Sequence, residues 1–405
     1  MRRGEAGPGA TEWVRHGVLS EAHSRKGKGI FVDELALQSV LEAMLKAKAS
    51  VLFVDALDEC ESGLDLVLDF IRKTASDFGT KWLISSRPND SIDESFRDLD
   101  QKRLIRRLDL TPEFLSRYVN LYIDHRISYL SERKAYCAKI QAKITEQLRL
   151  KSAGLFLWVS YVCNELKDDK ERRDPLKLVE EIPSGLQSIY KRILTKIQGL
   201  KRWRDCGAVL ATAVIARRPL HLRELASIAD CDQDKPTMCE TVKDLVILCQ
   251  HFFTLQKDRV YFIHQSAKDY LQGEGKDAIF PEGVSKRHQV VFSQSMKCLK
   301  ALKKDIYSLK YPGIDIKNIR PPDEDPLLSL SYSSESWVDH LTSFPVPDGQ
   351  SSKDELSDDG AVFGFLKKHF LHWLESLCLL HKLSDGILSI RRLLHVVEVC
   401  QYHIW

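Results

Sequence analysis

No apolar run in this 405-residue chain approaches the ~18 residues needed to cross a bilayer. The longest candidates, Ala153 to Cys163 and Ala208 to Ala216, have the length of buried helices. No apolar core follows the two arginines of the N-terminal MRRGEAGPGATEWVRHG, so that segment does not read as a secretory signal. C-x-x-C pairs are absent. The ten cysteines stand singly, most of them in apolar helical patterns where cysteine serves as a small hydrophobe. The one grouping near a histidine, Cys239, Cys249 and His251, has no usual zinc spacing. Scattered thiols point to a reducing, cytoplasmic setting. Excess charge is missing too: 60 Lys+Arg against 57 Asp+Glu leave a net +3, which offers no electrostatic case for nucleic acid or an anionic membrane. G-x-S-x-G, H-E-x-x-H and a recognisable Cys–His signature are all absent, so a protease or similar hydrolase is unsupported.

What is present is ordinary globular material, 43% hydrophobic and 29% charged, enough for roughly two to four compact units. Residues 1–29 are polar and aperiodic, and are expected to be a disordered start or a wrongly assigned exon. Val32 to Lys48 has helical periodicity, Val51 to Val54 reads as a strand, Gly63 to Ala75 as a helix and Lys81 to Ser85 as a second strand. Strand, helix, strand with this crossover makes a parallel βαβ unit. Arg103 to Leu110 is expected to add a further strand. From Thr111-Pro112-Glu113, a good helix start, the period turns to 3.6. Helices are expected at Glu113–Leu130, Ser131–Leu150, Ser152–Leu166 and Gly185–Ile197. Helices at Ala208–Ala216, Leu220–Ile228 and Glu240–Cys249 then precede strands Phe252–Leu255 and Val260–Ile263, joined by a turn at Lys257-Asp258. That order predicts a winged helix. A helical unit from about 284 follows, with a Pro- and Ser-rich loop at 321–360 and helices at Val362–Leu383 and Ile387–Val399. The fold class expected is α/β plus all-α.

The stretch Val51 to Cys60, VLFVDALDEC, carries the most chemical information. Four apolar residues end in Asp55, with Asp58 and Glu59 just beyond, as a buried parallel strand delivers carboxylates to the rim of a sheet where a Mg²⁺-bound nucleotide sits. Asp55 suits a Mg²⁺ held through water, Ala56 leaves room for a nucleotide, and Asp58 or Glu59 could orient an attacking water. Arg87, at the tip of the next strand, could aim a guanidinium at a terminal phosphate. The plain alternative is that the acids cap the helix beginning near Ser62 and that Arg87 pairs with one of them. Spacing alone leaves both open.

VLFVDALDEC followed by KWLISSRP at 81–88 resembles the second half of a fungal NACHT-type NTPase domain, of the signal-transducing STAND class that includes heterokaryon-incompatibility proteins. The resemblance continues through SAGLFLWVSYVCNEL at 152–166, LVEEIPSGLQSIYKRIL at 178–194, RRPLHLRELASIAD at 217–230 and VYFIHQSAKDYL at 260–271, and reaches WVDHL at 337–341 and FLHWLESLCLL at 370–380. It implies a partial P-loop NTPase sheet at 30–112, a helical domain at 113–201, a winged-helix domain at 202–283 and a helical domain at 284–405. By position, Asp55 is similar to the Mg²⁺-coordinating Walker B aspartate, with Asp58 the following acid. Arg87 resembles the sensor arginine, and Gly154 lies where the family's helical domain approaches the nucleotide, with Phe156 in place of the proline of a G-x-P motif. His264 resembles the winged-helix histidine that contacts the β-phosphate of ADP. The alternative for His264 is a core histidine at a strand end, hydrogen-bonded locally.

The sequence departs from the family pattern most at the phosphate loop. G-x-x-x-x-G-K-[ST], whose backbone cradles the phosphates, occurs nowhere, and SRKGKGIF at 24–31 has neither the spacing nor a preceding apolar strand. The resemblance therefore implies a degenerate or truncated module, related to ATP/ADP and Mg²⁺ binding but inactive alone. Its role would be that of a cytoplasmic scaffold for protein partners or a homo-oligomer in non-self recognition. One alternative is a working ATP/ADP switch whose phosphate loop comes from a missing upstream segment. Another is nucleic-acid binding through the winged helix, which its candidate reading helix at 240–249, with one lysine and two acids, does not favour.

Overall fold

The computed structural model describes residues 34–47, 51–60, 63–102, 104–168, 174–231, 238–309, 311, 313–314, 316–343, 356 and 360–402. The expectations for residues 1–29 and for SRKGKGIF lie outside the described residues. The chain divides into two compact units, with the boundary between Asp109 and Leu110. It is mostly helical with a small parallel sheet, compatible with an α/β plus helical fold.

The first unit runs α1 (Glu34–Ala47), β1 (Val51–Val54), α2 (Leu64–Phe78), β2 (Lys81–Ile84) and α3 (Asp90–Gln101). β1 and β2 pair in parallel, Val51 opposite Lys81 and Val54 opposite Ile84. Gly79 ends α2 in the left-handed region (φ 62°), where its N–H meets the Thr74 carbonyl and a side chain would be strained. α2 packs on the sheet through Leu68 and Ile71, and the Trp82 indole N–H donates to Thr74 Oγ1 at 3.2 Å. α3 was not expected from the sequence. It rests on three apolar residues in twelve, Ile92, Phe96 and Leu99, all buried, and on Asn89, whose side chain accepts the N–H groups of Ser91 and Ile92.

The expected strand at Arg103–Leu110 is not formed: the described residues there pair with no strand, and Leu104, Leu108 and Leu110 are exposed. An alternating pattern makes a strand only where an edge receives it. Among the described residues, one side of the sheet is covered and the other is bare. Leu52, Val54, Trp82 and Ile84 are half-buried, while Val51, Phe53 and Leu83 on the other side are 55%, 71% and 61% exposed.

The second unit begins with five helices, α4 (Pro112–Lys134), α5 (Ala138–Ser152), α6 (Phe156–Asp168), α7 (Pro175–Glu181) and α8 (Leu186–Gln198). Thr111 caps α4, accepting the Phe114 N–H at 3.2 Å, with Pro112 as first residue. α4 runs on past the expected stop at Leu130 and ends at Ala135 (φ 55°), because Leu130 and Ser131 are buried in the packing and carry the helix one turn further. Next come α9 (Trp203–Ile215), β3 (Leu220–His221), α10 (Leu222–Ile228), α11 (Met238–Leu248), β4 (Phe253–Gln256), β5 (Arg259–Phe262), α12 (Gln265–Gln272) and α13 (Lys276–Ile279). The antiparallel sheet has the order β3-β5-β4. The turn at Lys257 and Asp258 holds both residues at positive φ, 48° and 59°, as a tight hairpin requires. The expected helix at Leu220–Ile228 is divided: Leu220 and His221 join the sheet, and the His221 N–H donates to Glu224 at 2.7 Å, so α10 starts at Leu222.

The last helices are α14 (Val284–Leu299), α15 (Ser331–Thr342), α16 (Ala361–Leu379) and α17 (Leu383–Tyr402). α15 falls within the 321–360 stretch expected to be loop, which corrects that expectation. Its serines are buried rather than solvated: Ser333, Ser334 and Ser336 lie in the packing beside Trp337, and the Trp373 indole donates to the Ser334 carbonyl at 2.9 Å. One apolar cluster runs from Val119 of α4 to Tyr332 of α15, and a second, from Phe292 to Leu393, is built around Trp337 and Trp373. Among the described residues no helix is long and apolar enough to cross a membrane.

Candidate functional site

At the tip of β1 the chain turns sharply. Ala56 adopts a left-handed conformation (φ 53°, ψ 54°), costing roughly 1–2 kcal/mol for a residue with a Cβ, and a 3₁₀ turn follows at Leu57–Glu59. The turn is held from both sides. The Ala56 N–H donates to Ser85 Oγ at 2.9 Å, and the Ala56 carbonyl accepts the Glu59 N–H at 2.9 Å. The β ladder continues past the strand ends, with Ser85 N–H on the Val54 carbonyl and Leu57 N–H on the Ser85 carbonyl, each at 2.9 Å. Adjacent parallel strands thus bring their C-terminal tips together, Asp55 to Glu59 on one and Ser85 to Arg87 on the other.

Two contacts join the polar groups across this rim. Ser85 Oγ donates to Asp55 Oδ1. Asp58 Oδ1 accepts the Arg87 N–H at 2.9 Å, and its Oδ2 lies 3.6 Å from Arg87 Nε. Of the plain alternative, the Arg87 pairing is therefore present, with Asp58 as partner. The capping half is not: α2 starts at Leu64 behind Gly63, with no side-chain cap. Asp55 is exposed, and its Oδ2 takes no hydrogen bond from any described residue. Glu59 is exposed and has no side-chain partner among the described residues. This rim can offer one free Asp55 oxygen to a hard cation and one exposed carboxylate to a water.

Gly154 and His264 lie in the second unit, each at a helix terminus. α5 ends with Ala153 (φ 46°) and buried Gly154 (φ 75°), two left-handed residues in succession, and the Leu155 N–H returns to the Ser152 carbonyl at 2.9 Å. Phe156 opens α6 and meets Tyr122 edge-on. His264 is the N-cap of α12: its Nδ1 accepts the Ser266 N–H at 3.1 Å and lies 2.7 Å from Ser266 Oγ, which is itself 2.9 Å from the Tyr190 hydroxyl. His264 is exposed, so the core-histidine alternative holds for its local bond and fails for its burial. Because Nδ1 accepts a backbone N–H, the neutral ring carries its proton on Nε2, which has no partner among the described residues.

Ser85 is the site residue that sequence reasoning missed. Its signal was a hydroxyl immediately after a short strand, level with an aspartate at the end of a strand expected to run parallel beside it. His251 sits 3.8 Å from Glu165 and edge-on to Tyr161, and burial lowers its proton affinity. No group of three or more His, Cys, Asp or Glu among the described residues could hold a metal ion unaided. The rim would therefore need phosphate oxygens and water to complete any Mg²⁺ shell.

The vegetative incompatibility protein HET-E-1 of Podospora anserina is 36% identical to this chain over 361 residues, covering 85% of the chain and 26% of that protein. The chain thus spans about a quarter of the length of the curated relative it matches. No family model matches the sequence, and no solved structure matches it.

Proposed function

We propose that this chain is a degenerate NACHT/STAND signal-transduction module that acts as a protein-interaction scaffold in non-self recognition. Its similarity to a vegetative incompatibility protein supports the biological setting. The observation that carries the nucleotide part is the β1–β2 rim, where Asp55 keeps one oxygen free beside Arg87 and Asp58. In this reading 113–201 is a helical domain, 202–283 a winged helix and 284–405 a helical tail.

Asp55 would hold Mg²⁺ through water, and Glu59, not engaged elsewhere, would orient a water. By resemblance, His264 would offer its Nε2–H to a phosphate oxygen, and Gly154 would mark a nucleotide-facing turn within the second unit. When bound, the ion supplies neutralisation of phosphate charge. Without a phosphate-loop motif in the sequence, ATP and ADP bind weakly and hydrolysis is negligible. Arg87 Nε already lies 3.6 Å from Asp58, so a phosphate met by this guanidinium would share it with that carboxylate.

A second reading, an ATP/ADP-switched NTPase whose phosphate loop comes from a further segment, is favoured by one observation. A parallel sheet is ordinarily covered on both faces, and Val51, Phe53 and Leu83 leave one face bare. Calorimetric titration of the purified chain with ADP and with ATP plus Mg²⁺ separates the two. No binding at hundreds of micromolar supports the scaffold. Tight binding that is lost in Asp55→Ala or His264→Ala overturns it in favour of the switch.

A further inference from the structure

One hydroxyl at the sheet rim serves both Asp55 and Ala56. Ser85 Oγ has one hydrogen and donates it to Asp55 Oδ1, and the same oxygen accepts the N–H of Ala56. The backbone of Ser85 is fixed on both sides by the Val54 carbonyl and the Leu57 N–H. One side chain therefore holds both the carboxylate and the left-handed residue that follows it.

We propose that Ser85 is the positioning residue for Asp55, locking one carboxylate oxygen and leaving Oδ2 alone to meet a hydrated divalent cation. This rests on the reading of Asp55 as the Mg²⁺ ligand. Three features of the rim support it. Ser85 is the described partner of the Asp55 carboxylate. A left-handed alanine persists only where its surroundings over-determine it, and the acceptor of its N–H is Ser85 Oγ. Arg87, the other polar group of the β2 tip, is committed to Asp58 and does not share the task. Partners that orient a metal ligand typically govern affinity almost as strongly as the ligand itself.

The test uses the full chain with Mn²⁺–ATP, reading protein-bound Mn²⁺–ATP by the enhancement of water-proton relaxation over Mn²⁺–ATP alone, together with hydrogen exchange of the 51–60 peptide. Ser85→Ala should weaken Mn²⁺–ATP binding by about tenfold to a hundredfold, with Ser85→Thr within about twofold of the parent. Adding Ser85→Ala to Asp55→Ala should then lose nothing further. Because Ser85 is exposed, the extra methyl of threonine has room. Parent-like binding by Ser85→Ala overturns the positioning role and leaves the reading of Asp55 intact.

If the parent itself binds no Mn²⁺–ATP, that reading of Asp55 fails, and hydrogen exchange decides the positioning role alone. Faster exchange of 51–60 in Ser85→Ala, restored in Ser85→Thr, upholds it. Equal exchange in all three chains overturns it.

Discussion

His340 is fully buried, with Tyr332 Oη 2.7 Å from its Nε2 and His288 Nδ1 2.8 Å from its Nδ1. The Arg217 N–H donates to the Tyr332 hydroxyl at 3.2 Å, so one neutral arrangement satisfies the whole chain: Tyr332 donates to His340, and His340 to His288. A proton added to either ring would sit in a desolvated place close to Arg217. Burial, assisted by Arg217, brings His288 down to about 4, and burial with His288 and Arg217 brings His340 down to about 3. In the unfolded chain both rings titrate near about 6.5. Below that pH the unfolded state takes up protons that the folded state refuses, so stability falls as pH drops from about 6.5 towards about 4. Urea midpoints measured across that window should decline on the acid side, and the decline should be shallower in His288→Gln/His340→Gln. None of this was legible in the sequence, where the two histidines stand 52 positions apart.

Elements whose apolar residues follow a strong period were legible to within a few residues: β1 matched, and α2, α8 and α16 were displaced only at their ends. Legibility failed where packing, not pattern, decides. α3 needs only three apolar residues because both its cap and its one apolar stripe are well placed. α15 reads as polar, yet its small serines let neighbouring helices approach and surround Trp337. Trp337 is fully buried and meets Trp373 and Phe365 edge-on at 5.7 and 5.8 Å. Trp337→Ala should therefore destabilise the chain by about 3–5 kcal/mol. The indole N–H is buried without a partner among the described residues, so Trp337→Phe should cost less than half as much. Denaturant unfolding followed by circular dichroism checks both, and equal losses in the two variants would contradict the account.

At the scale of the whole molecule, the candidate rim legible in the sequence is the one made by neighbouring parallel strands. Asp55, Asp58 and Arg87 come together because a βαβ unit places both strand tips on one rim, which spacing alone conveys. Gly154 and His264 lie in the other compact unit, at helix ends set by packing that no local pattern encodes. The bare side of the β1–β2 sheet has a practical consequence. Val51, Phe53 and Leu83 form an adhesive patch on a chain with little net charge to keep copies apart. Light scattering should rise with protein concentration and fall in mild non-ionic detergent, with Phe53→Thr reducing the rise. A nucleotide titration run at calorimetric concentrations would then carry heat from dissociating aggregates, which a dilute fluorescence format would leave out.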